Sequence, residues 1–297
     1  MIVRPRPSLF SLLFAMRGSI LPTIAPRILL VAGFSAVVAL AQQRAPQHFP
    51  ELTVVPFTLV GLALSIFLGF RNNACYERWW EGRRQWGALV GETRAFLRDS
   101  LTIVPNDPDL HRRIALRTVA FADELRAQLR TGAPTAGSAF LPDSDVSRRG
   151  ADAVLWLQAR ELYTLMQEGA LTDILYRGLT DRLDAMTGIQ AACERIRSTP
   201  TPYTYTLLLH RTAWLFCMLL PFGLASTLGL ATTLACTILA YAFFGLDALG
   251  DELEEPFGMS HNALPLDALV RIIEISAFEA IGAPAPEPLQ PVDYLLT

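Results

Sequence analysis

Two stretches of this sequence, 52–70 and 224–246, contain no charged residue. Each is close to the roughly 20 residues with which a helix crosses a hydrocarbon core. Two further apolar stretches accompany them: about 28–41, preceded by Pro22, Pro26 and Arg27, and about 207–220, with His210 and Arg211 near its start. A backbone that meets lipid has no water to bond to, so such stretches are confined to helices unless they close a barrel. The pattern predicts four transmembrane helices in two pairs, with Pro221-Phe222-Gly223 as the break within the second pair. The composition agrees: only 18% of residues are charged and the mean hydropathy is +0.32, against about a quarter charged in soluble domains.

The placement of arginine predicts orientation. All 25 basic residues are Arg. Arg4, Arg6, Arg17 and Arg27 precede the first span, only Arg44 lies between the first two, and Arg71, Arg78, Arg83 and Arg84 follow the second closely. Basic residues near span ends stay on the cytoplasmic side, which puts both termini and the middle segment in the cytoplasm. The N-terminal stretch has a basic start and an apolar run, but Arg17 follows and no small-residue cleavage site does. It is read as an amphipathic surface segment over 1–26 rather than a signal peptide.

The expected organisation is then transmembrane helices 1 and 2 over 27–70, a cytoplasmic helical region over 71–205, transmembrane helices 3 and 4 over 206–246, and a cytoplasmic acidic tail over 247–297. The middle region balances 18 Arg against 17 acids. Residues 74–99 read as a helix continuing the second span. Asp107-Pro108 is a cap followed by proline in the first turn. Residues 132–147 are rich in Gly, Pro, Ser and Asp and read as a loop, with helices over 150–168 and 172–197 beyond it. No window alternates as a strand does. The tail carries ten acids against Arg271, and its Pro-rich end, 283–297, reads as extended.

Few residues suggest chemistry. There is no phosphate-binding glycine loop, no HExxH and no GxSxG. Cys75, Cys193, Cys217 and Cys236 form no CxxC pair, and the four histidines are dispersed. A pI near 5.8 gives no basic footprint for nucleic acid. The one acidic constellation is Asp247, Asp251, Glu252, Glu254 and Glu255 after the fourth span. Its ordinary reading is a solvated helix end. The sharper one is a membrane enzyme in which Asp247 and Asp251 hold a metal on a diphosphate, although Arg71-Asn72-Asn73 is not the second acidic motif that such chemistry needs. A non-conducting scaffold that displays the middle region to a partner is a further class.

Leu62, Ile66 and Phe70 are spaced by four and share one stripe of the second span. Gly61, Ala63, Ser65 and Gly69 are small residues beside it, permitting close helix approach. The stripe is read either as packing against a neighbour or as the lining of a narrow apolar pore.

The block Phe67-Leu68-Gly69-Phe70-Arg71-Asn72-Asn73, followed by Tyr76-Glu77-Arg78-Trp79-Trp80-Glu81-Gly82-Arg83-Arg84-Gln85-Trp86-Gly87, resembles the bestrophins. Arg17-Gly18-Ser19-Ile20, Cys193-Glu194-Arg195-Ile196 with Thr199-Pro200, and Glu255-Pro256-Phe257-Gly258 resemble further family blocks in the same order. The resemblance implies an all-α membrane protein that assembles as a homopentameric channel with an axial neck lined by Leu62, Ile66 and Phe70. It implies a second constriction, the cytoplasmic aperture, at the start of a helix before Cys193. Leu179 is the candidate there, with Arg177 or Thr180 as alternatives. Animal members bind Ca²⁺ with acids after their Pro-Phe-Gly. Here Met259-Ser260-His261-Asn262-Ala263 carries no carboxylate, so Ca²⁺ gating is not expected. The expectation is a bacterial inner-membrane channel for monovalent ions with no metal or cofactor. Cations are favoured by the acidic tail, and anion selectivity is the alternative.

Overall fold

The computed structural model describes residues 1–3, 16, 18–49, 52–130 and 150–297. Most of the N-terminal amphipathic segment, Arg17 and the loop expected at 132–147 lie outside the described residues. The described residues are almost wholly α-helical, and their only strand-like pairings are two isolated bridges near the chain ends. They fall into two compact units.

The span unit takes the described residues of Pro5–Trp79 together with Pro200–Glu255. Helix α1, Leu21–Arg44, begins where the Ser19 hydroxyl accepts the Leu21 N–H at 3.1 Å. Pro22 sits in its first turn, where a missing N–H costs nothing. A short 3-10 turn, Pro46–His48, leads towards α2, Val54–Ile103. Helices α6, Tyr203–Leu228, and α7, Ala231–Glu254, complete the unit. The apolar parts of α1, α2, α6 and α7 are each long enough to cross a membrane.

The break expected at Pro221-Phe222-Gly223 is not there. Helix α6 runs through Pro221, which is buried. Proline is tolerated inside a span because packed neighbours compensate for the lost bond. Gly223 serves packing, since a Cβ there would meet the Phe57 ring at 2.5 Å. The chain turns instead at Gly229, whose φ of +54° suits a residue without a Cβ.

Ile24, Ile28 and Val31 of α1, Leu64 and Leu68 of α2, Leu209, Phe216 and Leu220 of α6, and Phe243 and Phe244 of α7 form one core. Lipid tails are as apolar as these side chains, so close van der Waals packing holds the helices rather than water exclusion. Ala213, Cys217, Cys236 and Ala240 are the small members that permit the approach.

The helical unit takes the described residues of Trp80–Thr199 and Pro256–Thr297 with the first residues of the chain. It holds the second half of α2, then α3, Pro108–Leu129, α4, Ala151–Gln167, α5, Asp173–Ser198, and α8, Leu266–Ala280. The Asp107 carboxylate accepts the Asp109 N–H at 3.0 Å, and the Thr172 hydroxyl accepts that of Leu175 at 3.3 Å. These bonds satisfy first-turn donors and set where α3 and α5 begin. Trp86, Leu89 and Phe96 of α2 and Ile114, Phe121 and Leu125 of α3 are buried. In water, each such side chain stabilises by about 1.5–3 kcal/mol.

Helix α8 was not anticipated within the acidic tail. It buries Leu266, Leu269, Val270, Ile273 and Ala277 on one face. Asp267, in its first turn, accepts 2.7 Å bonds from Arg126 and Arg130. Burial would raise the Asp267 carboxyl, but the two guanidinium groups outweigh it and hold the carboxyl below the usual range. Glu161 of α4, bonded by Arg113 and Arg117, is depressed in the same way against its own burial. Both clusters therefore stabilise the fold at neutral pH and lose that contribution as pH falls through the depressed pKa values. After α8 the chain is extended, and residues 1–3 bond to 294–296: the Val3 N–H reaches the Tyr294 carbonyl at 2.8 Å and the Leu296 N–H the Met1 carbonyl at 2.9 Å.

Candidate functional site

In α2, the apolar stripe and the residues between its members face different surroundings. Leu64 and Leu68 are 2% and 0% exposed and lie in the span core, whereas Leu62, Ile66 and Phe70 are 60%, 48% and 63% exposed. The buried face of the helix runs through Leu64, Leu68, Arg71 and Cys75. At about 100° per residue, Ile66 lies opposite the centre of that face, and Leu62 and Phe70 lie within about 40° of Ile66. One subunit thus presents the three side chains on a bare face that its own helices do not cover. Asn73 and Glu77 continue that face by register, and both are exposed, with Asn73 Nδ2 donating to Glu77 Oε1 at 3.1 Å.

The acidic end of α7 is not a solvated helix end. Asp247 is 1% exposed and Arg71 of α2 is 0% exposed. Arg71 Nη1 donates to Asp247 Oδ1 and to the Asp247 carbonyl, both at 3.1 Å, while Nη2 donates to Asp251 Oδ1 at 2.5 Å and Glu254 Oε2 at 3.3 Å. His210 Nδ1 of α6 lies 2.8 Å from Asp247 Oδ2, and Arg27 of α1 approaches the same oxygen at 3.7 Å. Arg78 Nε donates to the Glu254 carbonyl at 2.7 Å, and the backbone N–H and hydroxyl of Thr201 donate to Glu254 Oε1. A carboxylate this deep must be paired, and three arginines offset three acids. The diphosphate reading loses its ligands here, because both oxygens of Asp247 and one of Asp251 are directed at cationic or ring nitrogen partners. Among the described residues no group of three or more His, Cys, Asp or Glu is arranged to hold a metal ion.

Sequence reasoning missed Arg71 as the partner of Asp247, although a signal was present. Each is the first charged residue after an uncharged span, and their signs are opposite. Leu179, proposed for the aperture, is 1% exposed inside the helical unit. Its side chain packs among the helices of that unit. Ile174, in the first turn of α5, stands 83% exposed, more than any other large apolar side chain among the described residues.

These features define a class: a helical membrane protein whose second span keeps an uncovered apolar face and is tied at its end to the last span by buried charge. The sequence matches the bacterial/fungal bestrophin family over residues 1–279. It is 45% identical over 294 residues to a voltage-dependent anion channel-forming protein of Mesorhizobium japonicum, covering 97% of this chain and 95% of that one. It is 39% identical over 285 residues to the voltage-dependent anion channel-forming protein YneE of Escherichia coli, covering 94% and 93%. Its fold superimposes on the crystal structure of a bacterial bestrophin homologue from Klebsiella pneumoniae with a TM-score of 0.84, at 39% identity over 88% of this chain and 99% of that one. The chain belongs to the bestrophin family of ion channels and is not an enzyme.

Proposed function

We propose that five copies of this chain assemble around an axis lined by α2 and conduct small monovalent ions through a neck of stacked apolar rings made by Leu62, Ile66 and Phe70. The carrying observation is the bare face of α2, opposite the face that fills the core. One subunit has too few spans to enclose a pore, so conduction requires copies. An apolar ring passes ions only while it is wide enough to stay wetted. Ile174 replaces Leu179 as the side chain that narrows the path again. The arginine distribution supports a bacterial inner membrane with both termini and the 71–205 region in the cytoplasm.

On the sign of the ion, the names of the relatives support anions. The argument for cations from the acidic tail weakens, because Asp247, Asp251 and Glu254 are paired with Arg71 and Asp267 with Arg126 and Arg130. Cations remain the second reading because of one different carboxylate, the exposed Glu77. Purified protein in planar bilayers under asymmetric KCl tests both: reversal at the chloride equilibrium potential fits the first reading and at the potassium potential the second. The protein is expected to conduct and to show the mass of five subunits in nanodiscs. A mass of one, two or three subunits overturns the pore.

Current is expected to be the same in micromolar Ca²⁺ and in chelator, since residues 259–263 offer no carboxylate and Ca²⁺ takes six or more oxygen ligands with carboxylates usual among them. A steep rise of open probability with Ca²⁺ would refute this.

A further inference from the structure

We propose that Glu77 forms a ring of carboxylates beyond the apolar neck and sets how strongly the channel favours cations over anions. The inference rests on the lining face proposed above. Glu77 lies seven residues after Phe70, which is about 10.5 Å along the helix and about 20° from it in azimuth. Asn73 stands between them on the same exposed face, and its amide donates to Glu77 Oε1 at 3.1 Å, which steers the carboxylate along the stripe. Among the described residues Glu77 has no cationic partner. The arginine next to it, Arg78, turns to the Glu254 carbonyl, and the next acid along the helix, Glu81, is bonded by Arg84 and Gln85. Other acids near the end of the spans, Asp247, Asp251 and Glu254, are all tied to Arg71. On the lining face of α2, Glu77 is therefore a carboxylate whose field is left to act on the lumen.

The neck itself carries no charge, so it sets a barrier of similar form for either sign of ion. Five uncompensated carboxylates at one mouth of a low-dielectric constriction raise the local cation concentration and lower that of anions. The ring biases permeation in that direction whichever ion carries most of the current. It is a transient site for hydrated monovalent cations, close enough to the neck to feed it.

The test is the cation-to-anion permeability ratio from reversal potentials in asymmetric KCl. Glu77→Gln is expected to lower the ratio at least about threefold, the scale of a potential of a few kT removed. Glu77→Asp keeps the charge and should keep the ratio. Glu287→Gln removes the same charge from the extended tail and should leave it unchanged. For a readout within one assembled channel, Glu77→Cys is labelled with an anionic and then, separately, a cationic thiol reagent. The anionic label should restore the ratio and the cationic one should lower it further. The four native cysteines are buried and give a quiet background. An unchanged ratio in Glu77→Gln, or an equal shift in Glu287→Gln, overturns the proposal. Ile66→Cys in parallel separates the two levels: if it is blocked by reagent while Glu77→Gln changes nothing, the neck stands and the charge ring falls. If Ile66→Cys is also untouched, the lining face itself is wrong.

Discussion

Replacing Leu62, Ile66 and Phe70 together with alanine is expected to raise single-channel conductance severalfold while moving the reversal potential little. The three side chains project from the face of α2 that its own subunit leaves bare. Five copies facing an axis make three consecutive apolar rings, each about 6 Å from the next along the helix. Dewetting depends steeply on ring width, so removing side-chain bulk at every level should wet the constriction. No charge is removed, and selectivity assigned to Glu77 should persist. Phe70 is the largest of the three, and Phe70→Ala alone should have the largest single effect. Accessibility gives the geometric control. Cysteine placed at 62, 66 or 70 should be blocked by a soluble thiol reagent applied to an open channel, and cysteine at 64 or 68 should be protected in the span core. Reaction at 64 and 68 with protection at 62, 66 and 70 would assign the stripe to ordinary packing.

The sequence made the helical class legible because lipid leaves so few options. An uncharged run of 19 residues, such as 52–70, has to be a helix if it spans, and the four-residue spacing of Leu62, Ile66 and Phe70 then follows from helix geometry alone. Asp107 and Thr172 marked helix starts through local capping bonds, which are written in adjacent residues. What was not legible depended on partners distant in sequence. Proline at 221 signals a break only when no neighbouring helix supports it, and α6 carries it through. Helix α8 was hidden by the acid count of the tail, although Leu266, Leu269, Val270, Ile273 and Ala277 share a face. Total charge says little when acids such as Asp267 are matched by arginines more than a hundred residues away. The choice between Leu179 and Ile174 was hidden for a related reason: the stretch repeats apolar residues at several helical positions, and only packing tells that Leu179 is buried and Ile174 exposed.

Arg71→Met is expected to be the most destabilising single substitution in the span unit. Arg71 is the common donor to Asp247, Asp251 and Glu254 and is fully buried. Desolvating such charges costs several kcal/mol per ion, which the pairing offsets. Methionine fills much of the same volume but leaves Asp247 with only His210 at 2.8 Å and Arg27 at 3.7 Å. Breaking a buried pair by removing one partner costs about 3–5 kcal/mol, so the temperature at which the assembled protein is lost in detergent should fall markedly. Lysine is not a conservative replacement, because an ammonium cannot repeat the forked contacts to three carboxylates. Arg84→Met is the control on the same helix: that side chain is exposed, its partner is Glu81 three residues away, and exposed pairs contribute about 1 kcal/mol or less. The second arm is Asp247→Leu in the Arg71→Met background. If the penalty of the single variant is a stranded buried carboxylate, removing that carboxylate should recover part of the lost stability, because apolar pairs of matched volume replace buried ion pairs at little cost. A single variant as mild as Arg84→Met, or a double variant worse than the sum of its parts, would mean that the cluster joining α2 to α7 does not hold the span unit together.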